Sequence, residues 1–249
     1  MIDDRTILVD LDGAVATLTL HRPKSLNALT PDLLIELGSA LERLGGDDSV
    51  RVLVLTGAGR SFSAGVDLKA LEGRSLSGGS VGDILDLPAR RVLELLTTIP
   101  KPVVAKVNGF CFTGALELAL ACDLIVTADE AKWGDTHAKF GLRPTWGMSQ
   151  RLLRTVGPAR ARELSYTARI FFGSEAAAWG IAIRSVPLVQ LDAAVDEVVG
   201  QLLSNSSGSL AAYKDLYRAA LDFGLRDGLA YEGATAYAIT DTHERVAFF

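Results

Sequence analysis

One carboxylate, Glu117, stands inside "NGFCFTGALELALACDLI" (residues 108 to 125), a stretch that is otherwise almost entirely small and apolar. It falls near the first turn of a helix that begins after a glycine turn. An apolar setting raises a carboxyl pKa and a helix N-terminus lowers it, so the sequence leaves the protonation state of Glu117 open. The segment also has a partner. "VLVLTGAGRSFSAGVDL" (52 to 68) and "PVVAKVNGFCFTGALEL" (102 to 118) share an apolar strand, a glycine turn, a Phe-Ser or Phe-Thr pair and a small-residue helix start with an acid close by. Helix starts leave backbone N–H groups without internal partners, and small residues such as Ala64, Gly65, Gly114 and Ala115 let a ligand atom come close to them. Two such starts meeting across a pocket would aim two N–H donors at one oxygen, as an oxyanion hole does for a thioester turning toward its enolate. The alternative is that these glycines simply end strands and permit close packing. "GAGRSF" opens like a dinucleotide fingerprint but lacks the third glycine.

The elements that must hold these residues can be read from pattern. "TILVDLDGAVATLTLHRP" alternates around Asp12–Gly13 as a β-hairpin. Thr30 and Pro31 supply an N-cap and first-turn proline for a helix carrying Leu33, Leu34, Leu37, Leu41 and Leu44, which Gly45 and Gly46 end. "VRVLVLTGAG", "KPVVAKVNG" and "ACDLIVTAD" read as strands covered on both faces, and "EAKWG" as a short extended piece. Residues 72 to 82 form a Gly/Ser-rich loop between a helix starting near Gly65 and another from about Asp83 to Thr98. From Gly147 the pattern is helical, broken by glycine or proline near 157 and again before "SEAAAWG". Leu229, Ala236, Ala238 and Ile239 are expected to be partly buried in a last helix.

The class is therefore α/β. With 249 residues, 49% of them hydrophobic, the chain can bury a sizeable core. A change from mixed to helical pattern divides it into residues 1–185 and 186–249. The net charge of −5 has no long run of one sign, so no nucleic-acid partner is expected. Cys111 and Cys122 have neither zinc-site nor disulfide-framework spacing, and Trp179 reads as core. No metal site, Walker-type loop or redox cofactor is indicated. The acidic start and the lack of a long apolar run point to a soluble cytoplasmic protein without a membrane segment.

Taken together, "LHRPKSLNAL" (20 to 29), "VLTGAGRSFSAGVDL" (54 to 68), "PVVAKVNGFCFTGALELALACDLIVTAD" (102 to 129) and "FGLRPTWGMSQRLLRTVG" (140 to 157) resemble the crotonase, or enoyl-CoA hydratase/isomerase, family, over roughly residues 5 to 245. The resemblance implies a crotonase-type spiral of β-β-α repeats with a C-terminal helical trimerisation region, and a homo-trimer or hexamer. It implies an acyl-CoA thioester substrate, coenzyme A being part of the substrate and no other cofactor being needed. The oxyanion donors would be the N–H groups of Ala64 and Gly114. The CoA contacts would involve Lys24, Leu26, Ala28, Ala64, Asp67, Leu68 and Gly114. Glu117 takes the place of the first of two catalytic glutamates in the family's hydratases.

Two departures stand out. In "KWGDTHAKFGLRPTWGMSQRL" the place of the second glutamate is held by His137. Histidine can still donate or accept a proton, but with different reach and charge. Asp135 and Trp146 are auxiliary candidates, Asp135 either as a compensating carboxylate or as a structural partner of His137. The chain also ends at "RVAFF", where many relatives continue with a basic tail near the neighbouring subunit's CoA, so such a contact is in doubt. The resulting expectation is an enoyl-CoA hydratase-like enzyme adding water reversibly to a 2-enoyl-CoA. The alternatives are an acyl-CoA binding or carrier protein, or isomerisation, decarboxylation or C–C cleavage.

Overall fold

The computed structural model describes residues 5–73 and 77–247. It opens on a hairpin of β1 (Ile7–Asp12) and β2 (Val15–Leu20). The turn is Gly13–Ala14, with Asp12 paired to Val15, one residue later than the sequence suggests, because only Gly13 takes a positive φ (55°). In α1 (Pro31–Gly45) the Thr30 hydroxyl accepts the N–H of Leu33, and the five expected leucines are all fully buried.

Three similar units follow. The first is β3 (Val52–Gly57), β4 (Ser61–Ser63) and α2 (Asp83–Thr98); the second is β5 (Val103–Val107), β6 (Phe110–Phe112) and the short α3 (Gly114–Ala119). The third is β7 (Leu124–Ala128), β8 (Lys132–Gly134) and α4 (Met148–Thr167), whose run is broken at Gly157, at φ 75° and ψ 166°. Each unit gives its first strand to a large sheet and its second to a small one. The large sheet runs β1-β2-β3-β5-β7-β10, parallel apart from the opening hairpin, and the small one β4-β6-β8-β9. The chain thus winds as a spiral of β-β-α repeats. β9 (Phe171–Phe172), α5 (Gly173–Ala178) and β10 (Arg184–Val186) close the sheets.

The expected helix near Gly65 is absent. After β4 the chain stays extended long enough for Val66 to bridge Leu29, and only a 3-10 turn, Leu68–Leu71, follows. Residues 74–76 of the Gly/Ser-rich loop lie outside the described residues; beyond them Ser77–Gly79 forms another short turn.

The C-terminal part is helical: α6 (Leu191–Ser204), α7 (Ser207–Asp222), α8 (Leu225–Ala234) and α9 (Thr242–Val246). α6 packs on the large sheet through Leu191, Ala194, Val195, Val198 and Val199. The single last helix read from the sequence is instead two, and Leu229, Ala236, Ala238 and Ile239 are exposed in the single chain. Among the described residues no helix is long and apolar enough to cross a membrane.

α7 is fastened by Lys214, whose Nζ donates to the carbonyls of Leu96 and Lys101 (2.7 and 3.0 Å) and to Asp123 Oδ2 (2.7 Å). Burial pushes the Asp123 carboxyl up, and Lys214 opposes that. Lys214→Met, which leaves that carboxylate without its cation, is expected to lower stability by about 2–3 kcal/mol in urea unfolding. Adding Asp123→Asn should recover part of the loss.

Candidate active site

The two repeated segments meet through a glycine. A Cβ on Gly65, at φ 88°, would lie 2.6 Å from the Phe112 carbonyl oxygen, so only glycine lets the first segment lie against Phe112 and Thr113. This brings the residue after Gly65 beside the start of α3. Ala64 is not the free donor there, because its N–H already donates to the Leu26 carbonyl at 2.9 Å. In the parallel bridge, Leu29 donates to the Gly65 carbonyl and accepts from the Asp67 N–H, so the intervening Val66 N–H points the other way. It meets no acceptor among the described residues. The expectation of two helix starts is corrected accordingly: among the described residues, the N–H groups left without an acceptor here are that of Val66, on an extended strand edge, and that of Gly114, at a helix start.

At Gly114 the backbone is set by Thr113, a β-branched residue at φ 53° and ψ −110°. Its N–H donates to the Gly134 carbonyl, and its hydroxyl is 2.5 Å from that of Thr136. The Thr113 carbonyl accepts the N–H of Glu117, so across the trans peptide the Gly114 N–H points out of the helix end. A Cβ on Gly114 would lie 2.5 Å from Trp146 Cζ3, which makes this glycine obligatory under the indole.

Glu117, one turn on, is 1% exposed. Its Oε1 accepts the N–H groups of Trp146 (3.1 Å) and Met148 (2.8 Å), and its Oε2 lies 3.7 Å from His137 Nε2. Burial pushes the carboxyl up to about 7, although His137 and the two N–H donors pull it down. His137 stands in a tight turn rather than on an extended strand, and its Nδ1 is 2.7 Å from Asp135 Oδ1. Asp135 therefore lies behind the ring and does not face Glu117 directly. The other Asp135 oxygen accepts from the Ser165 hydroxyl at 2.7 Å. Burial works against its charge, but the bonds from His137 and Ser165 outweigh it and hold this carboxyl below the usual range.

The Trp146 loop is pinned from below by Asp86, 2% exposed on α2. One oxygen of Asp86 accepts from Trp146 Nε1 and Thr145 Oγ1, both at 2.7 Å, and the other from Ser80 Oγ at 2.9 Å. Arg151 donates to the Trp146 carbonyl at 2.9 Å. Sequence reasoning missed Asp86, Ser165 and Val66. Asp86 was findable, since it is an acid beside Leu85 and Ala89 on the stripe of α2 that also buries Val92 and Leu93.

Of the CoA-contact candidates, Lys24 is exposed on the 3-10 turn Pro23–Ser25, Leu68 is half exposed and Ala28 is buried. The Leu29–Val66 bridge lays the segments holding them side by side. The Asp67 carboxylate is engaged by Arg22 at 3.0 Å and by the Lys69 N–H at 3.1 Å, so it braces the two segments. Trp179 is only partly buried, set between Arg160 and Arg169 at 4.3 and 4.9 Å from its ring.

Spiral β-β-α units thus bring the Val66 and Gly114 segments together at Gly65 and bury Glu117 beside His137. The chain belongs to the enoyl-CoA hydratase/isomerase family, which it matches over residues 10–247. It is 36% identical over 227 residues to crotonyl-CoA hydratase of Syntrophomonas wolfei, covering 88% of this chain and 82% of that protein. The enoyl-CoA hydratase of Bacillus anthracis superposes with a TM-score of 0.87 at 32% identity, covering 92% of this chain and 88% of that one. A monofunctional enoyl-CoA isomerase of Mycobacterium smegmatis superposes at 0.77 with 30% identity, over 93% of this chain and all of that one.

The raised pKa of Glu117 has a stability consequence. The folded chain holds this proton up to about pH 7, whereas an ordinary glutamate releases it near 4.5. Between those values the folded state binds more protons, so this contribution is full below the lower value and is lost as pH rises through the higher. A difference of that size corresponds to about 3 kcal/mol. Glu117→Gln keeps an oxygen for the two N–H donors without the buried charge. It should exceed wild type in unfolding free energy by roughly 1–3 kcal/mol near pH 8, with the gap closing toward about pH 5.

Proposed function

We propose that the protein is an enoyl-CoA hydratase-like enzyme that adds water reversibly across the double bond of a 2-enoyl-CoA. The observation that carries this reading is the pairing of Glu117 Oε2 with His137 Nε2 at 3.7 Å inside a buried site. That separation is too long for a direct hydrogen bond, yet a water beside the line between the two atoms can sit about 2.8 Å from each. One member of the pair takes a proton from this water as its oxygen bonds to C3 of the enoyl group. The other delivers a proton to C2, so no net proton is gained or lost over the cycle. The thioester oxygen, negatively charged in the enolate between these steps, is held by the N–H groups of Val66 and Gly114. A carboxyl near pKa 7 serves both directions, because its two forms are comparably populated at neutral pH.

The substrate carries its own CoA and the chemistry calls for no further cofactor. The CoA portion would run along the bridged segments containing Lys24, Leu26, Ala28 and Leu68. The exposed Tyr213, Tyr217, Leu221 and Leu225 of α7 and α8 give the C-terminal helices an apolar surface suited to contact another copy in a trimer or hexamer.

The test is loss of the conjugated-thioester absorbance over a panel of short 2-enoyl-CoAs, with oxygen-18 water to register incorporation. Wild type should turn over, and Glu117→Gln should lower kcat by at least ~10³-fold while acyl-CoA binding persists. His137→Ala should lose about 10²-fold or more. Gly114→Ala, which drives a methyl into the Trp146 ring, should lower kcat by roughly 10²-fold through displacement of the loop that holds Glu117. Binding without turnover by wild type would leave an acyl-CoA carrier, and a moved double bond without oxygen-18 would indicate isomerisation.

A further inference from the structure

The hydratase reading gives His137 a role but does not say what orients a ring that has taken the place of a flexible carboxylate. Three contacts converge on this question. Asp135 Oδ1 is 2.7 Å from His137 Nδ1 and also accepts the His137 backbone N–H at 3.3 Å, so the ring and its own backbone are tied to one oxygen. Asp135 Oδ2 is held at 2.7 Å by Ser165, which lies on α4 beyond the break at Gly157. The groups are buried, Asp135 at 2% and His137 at 8% exposure, and the far ring nitrogen faces Glu117.

An ionised carboxylate only accepts hydrogen bonds, so the nitrogen beside it must carry the proton. In the neutral ring this leaves the Nε2 lone pair bare, on the side that faces Glu117. With the opposite tautomer, Nδ1 would set a lone pair against the carboxylate at 2.7 Å, and Nε2 would offer Glu117 a proton it could not exchange without first becoming an anion. The Ser165 bond matters because a carboxylate free to rotate could turn its charge away from the ring. Since hydration releases no net proton, the chain Ser165–Asp135–His137 has no proton to conduct away, and its task is orientation and charge.

We propose that Asp135 and Ser165 are positioning residues that lock His137 in the Nδ1–H tautomer, making Nε2 the atom that exchanges protons with the reacting water. This rests on the hydratase reading for its catalytic consequence but not for its structural content. Neither residue touches the substrate; both act through the imidazole.

The experiment joins ring nitrogen NMR to kinetics. The chain has three histidines, so long-range proton–nitrogen spectra are simple, and the signals missing in His137→Asn assign the ring. Above the pH at which the imidazole becomes neutral, wild-type His137 should show a protonated Nδ1 and a bare Nε2. In Asp135→Asn, whose amide can donate to Nδ1, this pattern should be lost, with kcat falling by ~10²–10⁴-fold and KM changing by less than about 3-fold. Ser165→Ala keeps Asp135 and should lower kcat by roughly 3–10-fold, with a mixture of tautomers. It also stands in if Asp135→Asn does not fold. A wild-type ring protonated at Nε2 overturns the proposal, as does an altered tautomer with unchanged kcat. If wild type hydrates none of the enoyl-CoAs, the hydratase reading fails, and the ring spectra alone decide: an Nδ1–H ring lost or mixed in the variants upholds the lock, and any other pattern overturns it.

Discussion

A buried carboxylate that must be held but not neutralised is the constraint around which this molecule is arranged. Glu117 has one oxygen bound by two backbone N–H groups, from Trp146 and Met148, and the other left toward His137. Backbone donors stabilise the charge without delivering a proton, so the free oxygen keeps its acid–base freedom. Using them obliges the loop before α4 to run directly over α3, and that in turn requires Gly114 to be bare, since the Trp146 ring lies where a side chain would be. The loop then needs its own anchor, and Asp86 and Arg151 provide it from two sides.

The spiral makes these contacts possible. α3 follows a strand of the small sheet, β6, and the turn that bears His137 follows the next strand of that sheet, β8. Neighbouring parallel strands therefore deliver the two members of the pair from successive repeats. The same register brings Thr113 beside Gly134 and Thr136, which hold it at its unfavourable dihedrals. Strain at one residue is thereby offset by contacts between repeats.

Much of this was legible in the sequence, for reasons that mark where reading stops. The leucine stripe of α1, its Thr30 cap and the buried strands β3, β5 and β7 follow from periodicity, which is local. The duplicated strand and glycine turn pointed to two backbone segments, and these lie against each other at Gly65. Which N–H groups stay unpaired was not legible, because it depends on those the Leu29–Val66 bridge consumes, a pairing between residues 37 positions apart. Resemblance between the repeats suggested two helix starts, whereas tertiary pairing held the first copy extended. Ser165 was silent for the same reason, being an ordinary serine until α4 carries it back to Asp135.

On the hydratase reading, a histidine in the place of a second glutamate is less radical in charge than in shape. Two close carboxyls in a dry pocket cannot both ionise cheaply, so such a pair holds one proton and carries a net charge of about −1. Glu117 and His137 sharing one movable proton, with Asp135 ionised behind the ring, also sum to −1. Asp135, behind the ring, would on that reading supply the second carboxylate of the electrostatic balance while the imidazole stands nearer Glu117. The titratable group that faces Glu117 is a potential cation rather than a repelling acid, which is why His137 pulls the Glu117 pKa down while Asp135 pushes it up. Burial outweighs both and leaves the carboxyl near 7. A site can therefore change one of its two proton-handling groups and keep its proton inventory, provided a second carboxylate stands behind the first.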